Sequence, residues 1–317
     1  MSLPGKLLSA GLLAFSLVAC ARLEPPAPTI GAGDLAPHVL LTSVPFHPQA
    51  TRSDCGPAAL AMMLGWSGIE TDPVTLAPAV YTPGREGTLQ SDIVQASRRA
   101  ERLALKVENF SDLLAELEAG NPVLVLQNLG LERWPVWHYA VAIGYDLESA
   151  TLFLHSGREA RHALGFSAFE ASWESSERWG LTVTRPDRLP KTVDRNEGLQ
   201  AANGLERAGF ASAAAATYGA LLDRWPDNLP ALMGFGNARY AAGDVENARK
   251  AFRHAVTLHP GAAEAWNNLA IALAEQGEQE KALSAAREAV RLGGPNEAVA
   301  EKTLAELEAG AYSGGKL

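Results

Sequence analysis

The chain has 317 residues, 47% apolar and 20% charged, which is ordinary globular composition with room for two domains at ~100–200 residues each. A net charge of −9 provides no basic footprint, so nucleic acid is not an expected partner. Seven histidines and two cysteines, without CxxC or HExxH spacing, offer no metal-ligand set, and no cofactor is expected.

The N-terminus carries Lys6 and then an apolar run of thirteen residues from Leu7 to Ala19. A membrane span needs ~20 residues, so this run has the size of a secretory leader. Its end, Leu17-Val18-Ala19-Cys20, resembles a bacterial lipobox. The resemblance implies that Cys20 is acylated and becomes the first residue of the mature chain. Ala21 follows it, with no retaining aspartate, so by resemblance to sorted lipoproteins the expected location is the periplasmic face of the outer membrane. The expected layout is a leader over 1–19, then lipidated Cys20 and a Pro/Ala/Gly-rich tether over 20–40.

With Cys20 acylated, Cys55 has no intramolecular partner in a compartment that favours disulfides. The surrounding "QATRSDCGPAALAMMLGW" turns through polar residues into a helix. Ser53 or Asp54 can cap it, Pro57 fits its first turn, and Leu60, Met63 and Leu64 form its apolar stripe. Cys55 therefore falls at a helix N-terminus, where the dipole is expected to lower a thiol's pKa. Gln49, six residues upstream, can point its amide back toward Cys55 and complete a two-donor oxyanion hole with the Cys55 N–H.

A nucleophilic cysteine needs a base. His138 opens the strand "HYAVAIGYD", with Tyr139, Val141, Ile143 and Tyr145 on one face and His138, Ala140, Ala142 and Gly144 on the other. The small residues beside His138 leave room for another element, so a strand-borne histidine is expected to face the helix-borne cysteine. His38 and His47 near loops, His162 in a polar stretch, and His254 and His259 further on have weaker contexts.

Gln49-x5-Cys55-Gly56-Pro57-Ala58, "PGREGT" at 83–88, "NPVLVLQ" at 121–127 and "HYAVAIGYD" at 138–146 together resemble the C39 and C39-like cysteine peptidases over roughly 44–183. The resemblance implies an α+β papain-like cysteine peptidase domain, placed here over 41–187. It implies Cys55 as nucleophile, His138 as general base and Gln49 as oxyanion donor. The leader-cutting members are fused to exporters, which this chain lacks, so their substrate does not carry over.

The family also places an Asp or Asn sixteen to eighteen residues after the histidine, where this chain reads "TLFLHSG". Asp146 lies at the far end of the His138 strand, roughly 25 Å away at strand rise, and is rejected as the orienting group. If 138–145 and 151–156 pair antiparallel, one parity of register puts Ser156 on the His138 face and the other puts His155 there. A Ser156 hydroxyl would orient the imidazole more weakly than a carboxylate.

After a linker at 188–194 the chain repeats with a period of 34. Gly209, Gly243 and Gly277 form one column, and Ala214, Ala248 and Ala282 a second. Tyr218, Phe252 and Ala286 follow, then Leu221, Ala255 and Ala289. Pro226 and Pro260 close the first two units and Gly294 the third. Each unit reads as a helix pair, and the pattern resembles tetratricopeptide repeats. The expectation is an all-α tetratricopeptide-repeat solenoid of three repeats over 195–294, with a capping helix and tail over 295–317. Gly198 departs from the family, which usually has a bulky aromatic there.

The expected function is an envelope-anchored thiol peptidase that hydrolyses a peptide or related amide bond. The repeats' concave face would recruit the substrate protein or a partner, and the membrane would be reached through the lipid. The alternative is a catalytically impaired, peptidase-like scaffold acting through its repeats.

Overall fold

The computed structural model describes residues 35–82, 84 and 87–310. The leader, Cys20 and most of the expected tether lie outside the described residues, as does the tail from 311. The end of the stretch read as tether is not a tether: His38–Leu40 forms strand β1.

Ahead of the repeats, the described residues build an antiparallel sheet from β4 (Leu103–Val107), β9 (Gly180–Thr184), β5 (Val123–Asn128), β6 (Trp137–Asp146), β7 (Thr151–Ser156) and β8 (Glu159–Gly165), in that order, with β1 paired to the far end of β6. A small pair, β2 (Tyr81–Thr82) and β3 (Gly87–Thr88), stands apart.

Apolar cores cover both faces. On one, helix α1 (Cys55–Trp66) sets Leu60, Met63 and Leu64 against Val141, Ile143, Leu124 and Leu181. On the other, α4 (Phe110–Glu118) and α5 (Phe166–Glu174) bring Phe110, Leu113, Phe169 and Trp173 onto Ala140, Ala142 and Leu154. The cysteine helix thus packs on the Tyr139/Val141/Ile143 face, not on the small residues beside His138, whose room is taken by the aromatic rings of α4 and α5. Tyr145 also departs from simple alternation and joins the second core. The cause is a β-bulge between Ala142 and Gly144, which shifts the register by one residue and moves later side chains to the other face. Gly144 itself permits β1 to cross, since a Cβ there would meet Val39 O at 2.2 Å.

The second half is a run of helix pairs. These are α6 (Arg195–Arg207) with α7 (Ala211–Arg224), α8 (Leu229–Ala241) with α9 (Val245–Leu258), and α10 (Ala263–Glu275) with α11 (Gln279–Leu292). Gly209, Gly243 and Gly277 turn each pair with φ of +86°, +81° and +75°, a conformation that side chains with a Cβ resist. The alanine columns are fully buried, with Tyr218 and Phe252 filling the space between helices. Gly198 has its own partner: a Cβ there would meet Leu221 Cδ2 at 2.5 Å, so α7 fills the place an aromatic would occupy. The last helix, α12 (Glu297–Glu308), adds Leu307 to the core of the third pair.

The halves share a core. Leu103 and Leu105 of β4 pack with Val193 and with Ala201, Ala202 and Leu205 of α6. The linker is pinned by Glu116, which is fully buried on α4. Its carboxylate accepts from Thr192 N at 2.6 Å, Thr192 Oγ1 at 2.7 Å, Lys191 N at 3.1 Å and Asn121 Nδ2 at 2.6 Å.

Candidate active site

Cys55 is the first residue of α1, directly after a 3-10 turn over Arg52–Asp54. Neither Ser53 nor Asp54 caps α1. The Asp54 carboxylate instead accepts from Thr51 N at 2.8 Å, and the Ser53 hydroxyl lies 2.9 Å from Thr51 Oγ1. The polar start of the helix has moved one turn upstream because the 3-10 turn inserts before it. Gly56 then allows β3 to close over the helix end: a Cβ on it would meet Thr88 Oγ1 at 2.3 Å.

The expected drop in the Cys55 pKa is not found. Burial pushes the thiol up, and Asp54 adds to that, while the backbone N–H groups of Tyr139, Gly56 and Cys55 itself work against it. Desolvation of a thiolate is larger here than the gain from one helix end. His138 moves the other way, since burial favours the neutral imidazole. At rest the site therefore holds a thiol and a neutral ring, not an ion pair.

The β6–β7 pairing matches Val141 with His155 and Ala142 with Leu154. Of the two registers, this is the one that puts Ser156 on the His138 face, and His138 Nε2 lies 2.9 Å from Ser156 Oγ. His155 is buried elsewhere, with Nε2 3.3 Å from Val44 O and its ring tilted against Phe46. Asp146 sits at the opposite end of β6, 3.4 Å from His38 Nδ1. With the Nε2 proton on Ser156, Nδ1 of His138 keeps its lone pair, and no hydrogen bond occupies it among the described residues.

Cys55 and His138 line neighbouring cavities. One of about 860 Å³ is bordered by Cys55, Thr88, Leu126, Val136, Trp137 and Tyr139, among others. The other, of about 540 Å³, is bordered by His138, Gln49, Val136, Trp137, Gly157 and Arg158, among others. Val136 and Trp137 stand in both walls. No hydrogen bond joins Cys55 to His138 among the described residues, and the Tyr139 N–H, next in chain to His138, lies at the thiol. Gln49 is brought to the site by its backbone, with N donating to Gly157 O at 3.0 Å. Its side-chain Nε2 is buried, with no hydrogen-bond partner among the described residues.

Val136 and Trp137 are not singled out by the sequence reading. The signal was present in "LGLERWPVW", an apolar cluster between two strands where turn residues are the rule.

In the repeat half, a cavity of about 800 Å³ runs between α8, α10 and α12. Asn237, Asn267 and Asn268 line it, with Asn268 Nδ2 donating to Asn237 Oδ1 at 3.0 Å and Asn267 Oδ1 left without a partner. The capping helix contributes Val299 and Ala300 to its wall.

Residues 41–180 match the model of the Peptidase_C39 like family, and 199–255 and 233–297 match a tetratricopeptide-repeat model. Among solved structures, a Bacillus anthracis protein designated a C39-like peptidase is 20% identical at a TM-score of 0.39, covering 49% of this chain and 99% of its own. The Yersinia enterocolitica type III secretion translocator chaperone SycD is 20% identical at 0.34, covering 36% and 81%. The first tetratricopeptide domain of Spaghetti (RPAP3), bound to the HSP90 peptide SRMEEVD, is 20% identical at 0.35, covering 39% and 99%. No curated protein matches. The chain thus joins an α+β domain, whose residues 41–180 match the C39-like peptidase family model, to an all-α array of tetratricopeptide repeats.

Proposed function

We propose that the protein is a thiol peptidase that hydrolyses a peptide or related amide bond, held at the cell envelope by acylated Cys20 on the periplasmic face of the outer membrane. The observation that carries the chemistry is the 2.9 Å contact between His138 Nε2 and Ser156 Oγ. With Nε2 donating to Ser156, Nδ1 is left to take a proton, and the His138 cavity adjoins the one lined by Cys55 through Val136 and Trp137.

In this reading the Cys55 proton passes to His138 Nδ1 as Sγ bonds the substrate carbonyl carbon, and the carbonyl electron pair moves onto oxygen. Gln49 Nε2 and the Cys55 N–H receive that oxyanion. The tetrahedral adduct collapses, the C–N bond breaks, and the amine leaves with the proton from His138. Water then hydrolyses the thioester, with His138 again taking and returning a proton. Because both groups rest neutral, this is general-base attack and not attack by a stored thiolate. The repeats recruit a peptide segment of the substrate protein or of a partner.

One observation favours a second reading, an impaired peptidase-like scaffold: Cys55 and His138 share no hydrogen bond, and burial disfavours the thiolate. The separating experiment uses the chain from residue 21 onward with a fluorogenic peptide library. Cys55→Ala and His138→Ala should each lose at least about 10²-fold in rate. No hydrolysis by the wild type, with Cys55→Ala complementing a deletion strain that Asn267→Ala/Asn268→Ala does not, would establish the scaffold. The anchor is tested separately: Cys20→Ser should abolish acyl labelling and release the protein from the membrane fraction.

A further inference from the structure

Residues 129–137, the connection after β5 together with the first residue of β6, carry five large apolar side chains facing solvent. Leu129, Leu131, Trp134, Val136 and Trp137 are between 41% and 67% exposed. They account for half of the exposed large apolar residues among those described. The segment is held rigid by its own hydrogen bonds. Leu129 N donates to Val136 O at 2.9 Å, and Asn128 Oδ1 accepts from both Gly130 N at 2.9 Å and Val136 N at 2.8 Å. An exposed apolar cluster on a braced hairpin is a binding feature by the usual measure.

Two observations say what it binds. Val136 and Trp137 stand in the walls of both the Cys55 and the His138 cavities, so an occupant of either cavity touches them. The hairpin's apex is charged, with Glu132 and Arg133 both exposed and the Arg133 guanidinium 5.4 Å from the Trp134 ring centre. An apex of that kind does not enter a bilayer, since burying its carboxylate and guanidinium costs more than the flanking rings return. Of the five side chains, Leu129, Val136 and Trp137 line the cavities. The opposite wall of the Cys55 groove continues this lining with Leu89, Leu126 and Tyr139.

We infer that the Leu129–Trp137 hairpin is the specificity-determining element of the site, reading a bulky aromatic or branched aliphatic side chain next to the bond to be cut. This rests on the peptidase reading above. A small or charged side chain at that position would leave Val136 and Trp137 wet.

The test measures binding, so that it stands apart from catalysis. Cys55→Ala protein is titrated with dye-labelled octapeptides that differ at one position (Ala, Lys, Leu, Phe or Trp), read by fluorescence anisotropy. The expected result is at least about tenfold tighter binding of the Leu, Phe and Trp peptides than of Ala or Lys. That preference should be lost in Trp137→Ala and kept in Trp137→Phe. Equal binding of all five peptides, or a preference that survives Trp137→Ala and Val136→Ala alike, overturns the inference while leaving hydrolysis to be judged on its own assay. A preference that holds in a protein that does not cleave supports the hairpin as a recognition element and removes the chemistry. Partition onto phosphatidylethanolamine/phosphatidylglycerol vesicles that depends on Trp134 and Trp137, without peptide preference, also overturns it.

Discussion

The Ser156 hydroxyl lies 2.9 Å from His138 Nε2, where the C39-like resemblance leads one to expect an Asp or Asn. A neutral hydrogen bond of this kind is worth ~0.5–1.5 kcal/mol, which corresponds to roughly tenfold in rate at most. Ser156→Ala is therefore expected to lower kcat about tenfold, far less than loss of His138 would. Ser156→Asp brings a charge that favours the imidazolium, so it should raise the His138 pKa and move the acid limb of the pH profile upward. The check is kcat against pH for the three proteins.

Burial sets a second prediction, because it raises the Cys55 thiol and lowers the His138 ring. The thiolate appears only as pH climbs past the raised thiol value. The imidazolium appears only as pH falls below the lowered ring value. Iodoacetamide should therefore alkylate Cys55 slowly at pH 6, with the rate rising above the ordinary thiol range of ~8.5. His138→Ala should leave that profile in place. Peptide hydrolysis, which needs the neutral ring, should persist below the usual imidazole value of ~6.5. Fast alkylation at pH 6 that vanishes in His138→Ala would contradict the neutral pair.

Gln49 carries a buried amide nitrogen with no partner, so stability and activity are expected to part company there. Gln49→Ala removes an unsatisfied group that costs ~1–3 kcal/mol when buried. Its Tm should not fall, while kcat drops about 10²-fold with the oxyanion donor gone. Thermal unfolding and kinetics on one preparation decide it.

Glu116 is the opposite case, a fully satisfied buried carboxylate whose donors come from Asn121 and from the 188–194 segment. Glu116→Ala strands those donors and is expected to cost about 2–4 kcal/mol. Limited proteolysis should then cut between Arg188 and Asp194, where the wild type resists.

The parts of the fold that repeat or alternate were legible in the sequence. The glycine and alanine columns place six helices, because the glycines turn at positive φ and the alanines sit buried where the helices meet. The Cys55 helix and the β6–β7 pair could be read from local patterns. Other features depend on residues far apart in the chain. The bulge at Ala142/Gly144 reflects β1 crossing over Gly144, which no local pattern shows. The packing of α1 on the Tyr139 face was hidden because Ala140 and Ala142 serve equally well under the aromatic rings of α4 and α5. The direction of the Cys55 shift could not be read either, since a helix end is visible in sequence and the depth of burial is not. Ser156 and His155 were separable only by register, which the four-residue turn 147–150 leaves free.

The junction between the halves has a consequence for how far a substrate reaches. A flexible linker would supply a local concentration, of mM order, with no preferred bearing. Here Glu116 and the packing of Leu103 and Leu105 against α6 fix both distance and direction. A segment seated against Asn267 and Asn268 would present to Cys55 a bond set by length alone, counted from that seat at ~3.3–3.6 Å per extended residue. On the proposed peptidase reading the joint would act as a ruler, and inserting residues into the substrate would move the cut by the same number.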